Sequence, residues 1–163
     1  MSNAYTPEEL LGPLNELERR HAPDRLYVRG HPEWLRSTVR VSVVGARQAS
    51  EDGLRRTARL ARALAAHDVV VVSGLAAGVD AAAHRVALDA GGRTIAVLGT
   101  PLDDVYPRDH AALQRTIGDD HLLVSQFAPG TRTRPFHFPM RNRTMALIVQ
   151  ASVIVEAGES SGS

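Results

Sequence analysis

Four arginines and three phenylalanines crowd into one stretch, Gln126 to Arg143, which reads Gln-Phe-Ala-Pro-Gly-Thr-Arg-Thr-Arg-Pro-Phe-His-Phe-Pro-Met-Arg-Asn-Arg. Phe127, Phe136 and Phe138 are all the phenylalanines of the protein, and Arg132, Arg134, Arg141 and Arg143 stand among them. Guanidinium forks grip phosphates bidentately and aromatic rings offer faces to bases, so the interleaving suits a flexible single-stranded nucleic acid. A solvated basic loop with its rings tucked into a core would read the same way in isolation. From His121 to Val155 there is no Asp or Glu, so that window carries +4, while the other 15 arginines face all 18 acids and sum to −3. A net charge of +1 therefore hides a polarised molecule.

Three further constellations carry candidate chemistry. In Gly45-Ala46-Arg47 a glycine lets a phosphate approach the backbone and Arg47 can fork onto it. In Ser73-Gly74-Leu75-Ala76-Ala77-Gly78-Val79-Asp80, free N–H groups ahead of a helix form an anion nest to which Ser73 can add a hydroxyl, with Asp80 as a cap or loop brace. The run is neither a Walker loop, which needs a lysine the chain lacks, nor the dinucleotide Gly-x-Gly-x-x-Gly pattern. His137-Phe138-Pro139-Met140-Arg141-Asn142-Arg143 sets a His/Phe pair ahead of an expected helix start at Pro139, with Arg141 and Asn142 in the opening turn where the dipole favours anions. Glu156 suits an arginine brace best, because Arg47, Arg141 and Arg143 are expected nearby; a ribose contact or general acid/base role are the alternatives. His84 reads as structural.

The absence of cysteine excludes disulfides and thiolate chemistry. The seven histidines never take a tight metal-ligand spacing, so neither metal nor cofactor is expected. All 19 basic residues are arginine, which makes each a planar, bidentate phosphate binder. No run approaches a membrane span and no signal-peptide core opens the chain, so the expected location is the cytoplasm. Ser2-Asn3-Ala4 has the look of an expression scar and is set aside.

The elements that must position these residues follow from periodicity. Thr6-Pro7-Glu8-Glu9 starts a helix with Leu10, Leu14 and Leu17 on one face, interrupted at Gly12-Pro13. Leu26 to Gly30 is a short strand and His31 to Leu35 a helical turn. Residues 1–38 are read as an arm on the main domain, residues 39–163. There, strands at 39–44, 69–72, 94–98, 121–125 and 152–155 alternate with helices at 50–66, 79–90, 108–117 and 139–150. Leu54, Ala58, Ala61 and Ala65 are placed on the inner face of the first of these helices. Unbroken apolar strands require cover on both faces, which gives a doubly wound, mostly parallel α/β sheet, Rossmann-like, with helices on both sides. Right-handed crossovers then bring Gly45 to Arg47, Ser73 to Gly78, Gly99-Thr100, the Arg/Phe loop and Gly158 to Ser163 to one sheet edge, where such folds bind ligands.

In this order the motifs resemble the DNA-processing protein A (DprA/Smf) family. The matching runs are Leu26 to Gly30, Val43 to Arg47, Val72 to His84, Thr94 to Gly99, Val105-Tyr106-Pro107, His137 to Arg143 and Val155 to Ser163. The resemblance implies a non-enzymatic domain that binds single-stranded DNA without cleaving it, protects it during natural transformation and helps load a RecA-type recombinase. By position it puts strand contacts on Gly45, Arg47, Ser73, Gly74, Gly78, Phe138, Arg141 and Arg143, with Asp80, His137, Asn142 and Glu156 in support. A homodimer is also implied. The sequence departs from the family at Ala46, where Ser or Thr is usual, and at both ends, where the family carries more chain; a truncated fragment is the expectation. Two rivals share the fold: a nucleoside-monophosphate phosphoribohydrolase, whose Pro-Gly-Gly-x-Gly-Thr-x-x-Glu run is missing here, and a nucleotide-sensing module.

Overall fold

The computed structural model describes residues 3–158 of the 163-residue chain. The segment Glu159 to Ser163, expected to form a further nest-like loop, lies outside the described residues.

Thr6 caps α1 (Pro7–Leu11) through a reciprocal box with Glu9, and Gly12 ends it after five residues. Asn15 and Glu18 repeat the box for α2 (Glu16–His21). This second start re-aims the chain, so Leu10 and Leu14 are buried but Leu17 is 68% exposed, off the face expected for it. β2 (Leu26–Gly30) and α3 (Trp34–Ser37) complete the arm. A strand not foreseen in the sequence, β1 (Asn3–Tyr5), pairs antiparallel with β2, and β2 pairs antiparallel with β6 (Leu122–Ser125). The arm thus belongs to the sheet and does more than rest on it.

The remaining strands are β3 (Arg40–Gly45), β4 (Val70–Ser73), β5 (Thr94–Leu98) and β7 (Ala151–Glu156). They join the others in the order β1-β2-β6-β5-β4-β3-β7, with every pair from β6 to β7 parallel. Helices α4 (Glu51–Ala66), α5 (Val79–Asp89) and α6 (Ala111–Asp120) link consecutive strands marching one way across the sheet. Only α7 (His137–Ile148) returns in the other direction, carrying the chain from β6 to the far side of β3. The right-handed crossover rule therefore places α7 on the opposite face from α4, α5 and α6.

Side-chain alternation matches this division. Val70, Val72, Ile95, Val97, Leu122 and Val124 pack with Met145 and Ile148 of α7 and with Leu10 and Leu35 of the arm. Val43 and Val71 meet Ala61, Ala83 and Ala87 of α4 and α5, whose small residues allow close helix packing, while Ala96, Leu98 and Leu123 meet Ile117 of α6. One helix cannot cover the first of these faces alone; α1 and α3 of the arm supply the rest. Buried Arg40 ties α3 to α7: Nε donates to the Ile148 carbonyl at the end of α7 (2.6 Å) and Nη1 to the Trp34 and Thr38 carbonyls (3.0 and 2.5 Å).

Two phases differ from the sequence reading. On α4 the fully buried positions are Gly53, Thr57 and Ala61, spaced i, i+4, i+8, so Leu54 turns outward at 39% exposure. Helix α7 begins at His137, two residues before Pro139; proline is tolerated there because N–H groups of the first turn need no intrahelical partner.

Candidate nucleic-acid interface

Strand order reverses between β3 and β7, which flank the point where the chain changes direction across the sheet. The helices that connect to these two strands, α4 after β3 and α7 before β7, lie on opposite faces of the sheet, and a crevice opens at the strand ends. A cleft of about 1010 Å³ occupies it, walled by Ser42, Val44 and Gly45 of β3, Ser152 and Ile154 of β7, and the inner face of α7. Arg47, Ala76, Arg141 and Gly158, from four separate segments, line it together. Among the described residues, the expected gathering of distant turns along one sheet margin is what the structure shows; the part expected from Glu159 to Ser163 lies outside them.

Arg141 forms the floor. It is 5% exposed, and its Nη1 donates to the carbonyls of Gly74 (2.5 Å) and Val97 (2.9 Å), tying α7 to the ends of β4 and β5; Nε donates to Asn142 Oδ1 (2.9 Å). A Cβ on residue 74 would fall inside the guanidinium, so glycine is required there by the arginine rather than by a phosphate. Burial lowers the Arg141 pKa; Asp80 opposes this and Arg47 adds to it. Asp80 is buried beside it and accepts from Gly74 N (3.1 Å). Burial pushes its carboxyl up, against the pull of Arg141, the Gly74 and Gly45 amides and the Ser73 hydroxyl. An entering anion would relieve the repulsion between Arg47 and Arg141.

The rim is built differently. Arg47 is exposed, and no carboxylate lies within ion-pair distance of it among the described residues. Its guanidinium sits 5.7 Å from the centre of the half-buried Phe138 ring, a cation–π placement. Tyr106, 51% exposed, leans on the other side at 5.3 Å and 48°. Phe138 lies over Gly99, and any Cβ there would come within 2.5 Å of the ring. A side lobe of about 80 Å³ opens between Phe138, Tyr106 and the Ala76-Ala77 turn, whose amides donate to no protein acceptor among the described residues. Phosphate, aromatic and backbone-donor contacts are thus available within one cleft.

Several expected contacts are spent elsewhere. Ser73 is fully buried and gives its hydroxyl proton to the Val43 carbonyl (2.6 Å), so it is a sheet tie and not a phosphate donor. Its single proton is committed to that acceptor. Gly78 has φ of 78° and abuts the Ala46 and Arg47 carbonyls, while Val79 N donates to Ala46 O (3.2 Å); this end of the nest is closed by protein. Gly45 likewise packs against Val79 and the Glu156 backbone. Glu156 braces no arginine among the described residues. Its carboxylate accepts from Ser50 N (3.1 Å) and Oγ (2.7 Å), securing the residue that caps α4. Arg143 is exposed but outside the cleft, because two residues along a helix is a turn of about 200° from Arg141. His137 is buried against Phe127, ring centres 4.0 Å apart, and the first amides of α7 donate to Arg134 and Pro135 carbonyls, leaving no open helix-end site. Asn142 does line the cleft. Arg134, one of the arginines of the Arg/Phe stretch, lines the wall, and so does Tyr106, which sequence reasoning did not assign to the site; an aromatic before proline in a loop facing that stretch was the available signal.

The model of the DNA recombination-mediator protein A family matches residues 3–163. The chain belongs to that family. It is 43% identical over 142 residues to the DNA processing protein DprA of Streptococcus pneumoniae, covering 87% of this chain and 50% of that one. It is 37% identical to protein Smf of Escherichia coli over 142 residues, 86% of this chain and 38% of the relative. The chain therefore spans half or less of the length of these curated relatives. Among solved structures, DprA of S. pneumoniae superposes with a TM-score of 0.88 at 38% identity, covering 99% of this chain and 56% of that one. DprA of Helicobacter pylori, whose single-stranded DNA binding mode has been described structurally, gives 0.83 at 28% identity, covering 99% and 72%. Family membership accounts for the mostly parallel sheet and the motif order. Among the described residues, no cluster of His, Asp and Glu could hold a metal ion and no helix is long and apolar enough to cross a membrane.

Proposed function

We propose that this protein is a DNA-processing domain that binds single-stranded DNA in the switch-point cleft and does not cut it. The observation that carries the proposal is the exposed Arg47, without an ion pair among the described residues, placed over Phe138 at the mouth of a cleft with a buried cation beneath. Backbone phosphates sit at Arg47 and the Ala76-Ala77 amides, a base lies against Phe138 and Tyr106, and Arg141 acts as a fixed field from below. Gly45, Ser73, Gly74, Gly78 and Asp80 hold this geometry instead of touching the strand; Asn142 is placed to reach it, and Arg143 and His137 lie to one side. The H. pylori relative's single-strand binding supports the choice of ligand.

Binding without catalysis fits the state of the two carboxylates. Glu156 is occupied by Ser50, and Asp80 is buried under Gly74, so neither is aimed at a substrate bond as a general base would be. Family membership further supports a RecA-type recombinase and a second copy of the protein as partners, in the cytoplasm, during natural transformation. Fluorescence anisotropy with labelled oligo-dT at two salt concentrations tests the reading. Tight binding that weakens steeply with salt is expected. Release of free adenine from AMP, or preference for a mononucleotide over oligo-dT, would replace the DNA reading by one of its two rivals.

A further inference from the structure

Phe136 is the most exposed phenylalanine, with 61% of its surface open to solvent. It immediately precedes α7 and is backed edge-on by His137, ring centres 4.9 Å apart at 89°; His137 in turn stacks flat on buried Phe127 at 4.0 Å and 15°. Three rings therefore run from the interior to the surface, and the last has a free face. The loop that delivers it is tied down by Thr131 N to Ala128 O (3.0 Å) and by Thr133 Oγ1 to Asp104 (2.9 Å). Met140, one turn further on, is 36% exposed, and Arg132, Arg134 and Arg143 are exposed with no carboxylate partner among the described residues.

A protein that needed only an apolar anchor would bury this ring, and one that needed only solubility would not hold a phenylalanine out between unpaired arginines. Supported aromatic faces among arginines are what a strand of unpaired bases uses, since every base has a π-face. Position gives the order of contacts. Phe138 turns into the cleft, whereas Phe136, two residues earlier, points away, and Arg134 and Pro135 line the cleft wall between the two regions. A strand leaving the cleft over Arg134 meets Phe136 next.

We propose that Phe136 is a second base-stacking platform, outside the cleft, for the nucleotides that leave it, with Arg132 and Arg143 flanking their phosphates. This rests on the single-stranded DNA reading above and extends it from a pocket to a path. Two oligo-dT lengths at the extremes of single-strand footprints, about 4 and about 16 nucleotides, separate the two sites. Phe136→Ala should bind the long oligomer about tenfold more weakly and the short one as wild type does, with an unchanged salt slope because no phosphate contact is lost. Phe138→Ala should weaken both. Phe136→Trp should restore long-oligomer binding and show indole quenching by that oligomer alone, read against the Trp34 background. With so much of the ring exposed, thermal unfolding of all Phe136 variants should match wild type. If Phe136→Ala or Phe136→Leu binds the long oligomer with full affinity while Phe138→Ala does not, the platform is wrong and the cleft reading stands; a patch for a protein partner would give that result. If wild type binds neither oligomer, both readings fall together.

Discussion

Arg47 and Arg141 line one cleft and carry the same charge, yet their surroundings assign them different work, and replacing each by alanine separates it. Arg141→Ala removes the donor from two buried carbonyls, Gly74 and Val97. Each orphaned acceptor costs about 1–3 kcal/mol, so a loss of about 2–6 kcal/mol in stability is expected. At about 2–4 °C per kcal/mol for a domain of this size, the melting temperature should fall by about 4–24 °C. Arg47→Ala removes an exposed side chain with no ion pair among the described residues, so its stability should stay within about 0.5 kcal/mol of wild type. Its effect belongs to binding. One phosphate contact fewer should flatten the slope of log affinity against log salt by about 0.7 for a single strand. Differential scanning fluorimetry reads the first quantity, and anisotropy titrations with oligo-dT across a salt series read the second. A fully stable Arg141→Ala variant would falsify the floor assignment. An unaltered salt slope in Arg47→Ala would remove that arginine from the interface.

Two more outcomes follow from the buried groups. His84 is fully buried and burial depresses its pKa to about 3. Its Nδ1 lies 2.7 Å from Thr94 Oγ1, whose own proton goes to the Val71 carbonyl, so Nδ1 must be the donor and the imidazole is neutral. Because the unfolded chain takes up this proton at higher pH than the native one, the contribution of His84 is complete above about pH 6.5 and is lost as pH falls from there toward 3, by about 1.4 kcal/mol per unit. Urea midpoints between about pH 7.5 and 5 should decline less steeply for His84→Gln than for wild type, and parallel profiles would contradict this. Gly99→Ala would drive its methyl into Phe138, so the ring must swing off its seat; oligo-dT affinity should drop about tenfold, within the range for losing one stacked base, and unchanged affinity would show that Phe138 need not sit over Gly99.

The sheet could be read from sequence because its central strands are short, mostly branched apolar runs closed by glycine, as in Val69 to Gly74 and Thr94 to Gly99. Periodicity is silent on partners distant in the chain, so the pairing of Tyr27 with Ser125, which makes the arm part of the sheet, had no local trace. Helix phase shows the same weakness. Leu54 reads as a core residue until Gly53 and Thr57 are seen to face inward, their small side chains letting α4 lie close to its neighbours. For the site, residue types marked the right loops but not where their hydrogen bonds end. Ser73 reaches back thirty positions to Val43, and Glu156 reaches back 106 to Ser50. Arginines were recognisable as cations in the sequence; only burial distinguishes one that meets solvent from one locked beneath the surface.

That locked cation has a consequence for how the protein behaves in concentrated electrolyte. Mobile ions cannot pack around a guanidinium with 5% of its surface accessible, so they damp its field far less than that of the rim arginines. Attraction at the mouth should fade as the solution becomes more saline, while the base of the crevice stays electropositive. A ligand already seated would then keep a hold that a newcomer could no longer find.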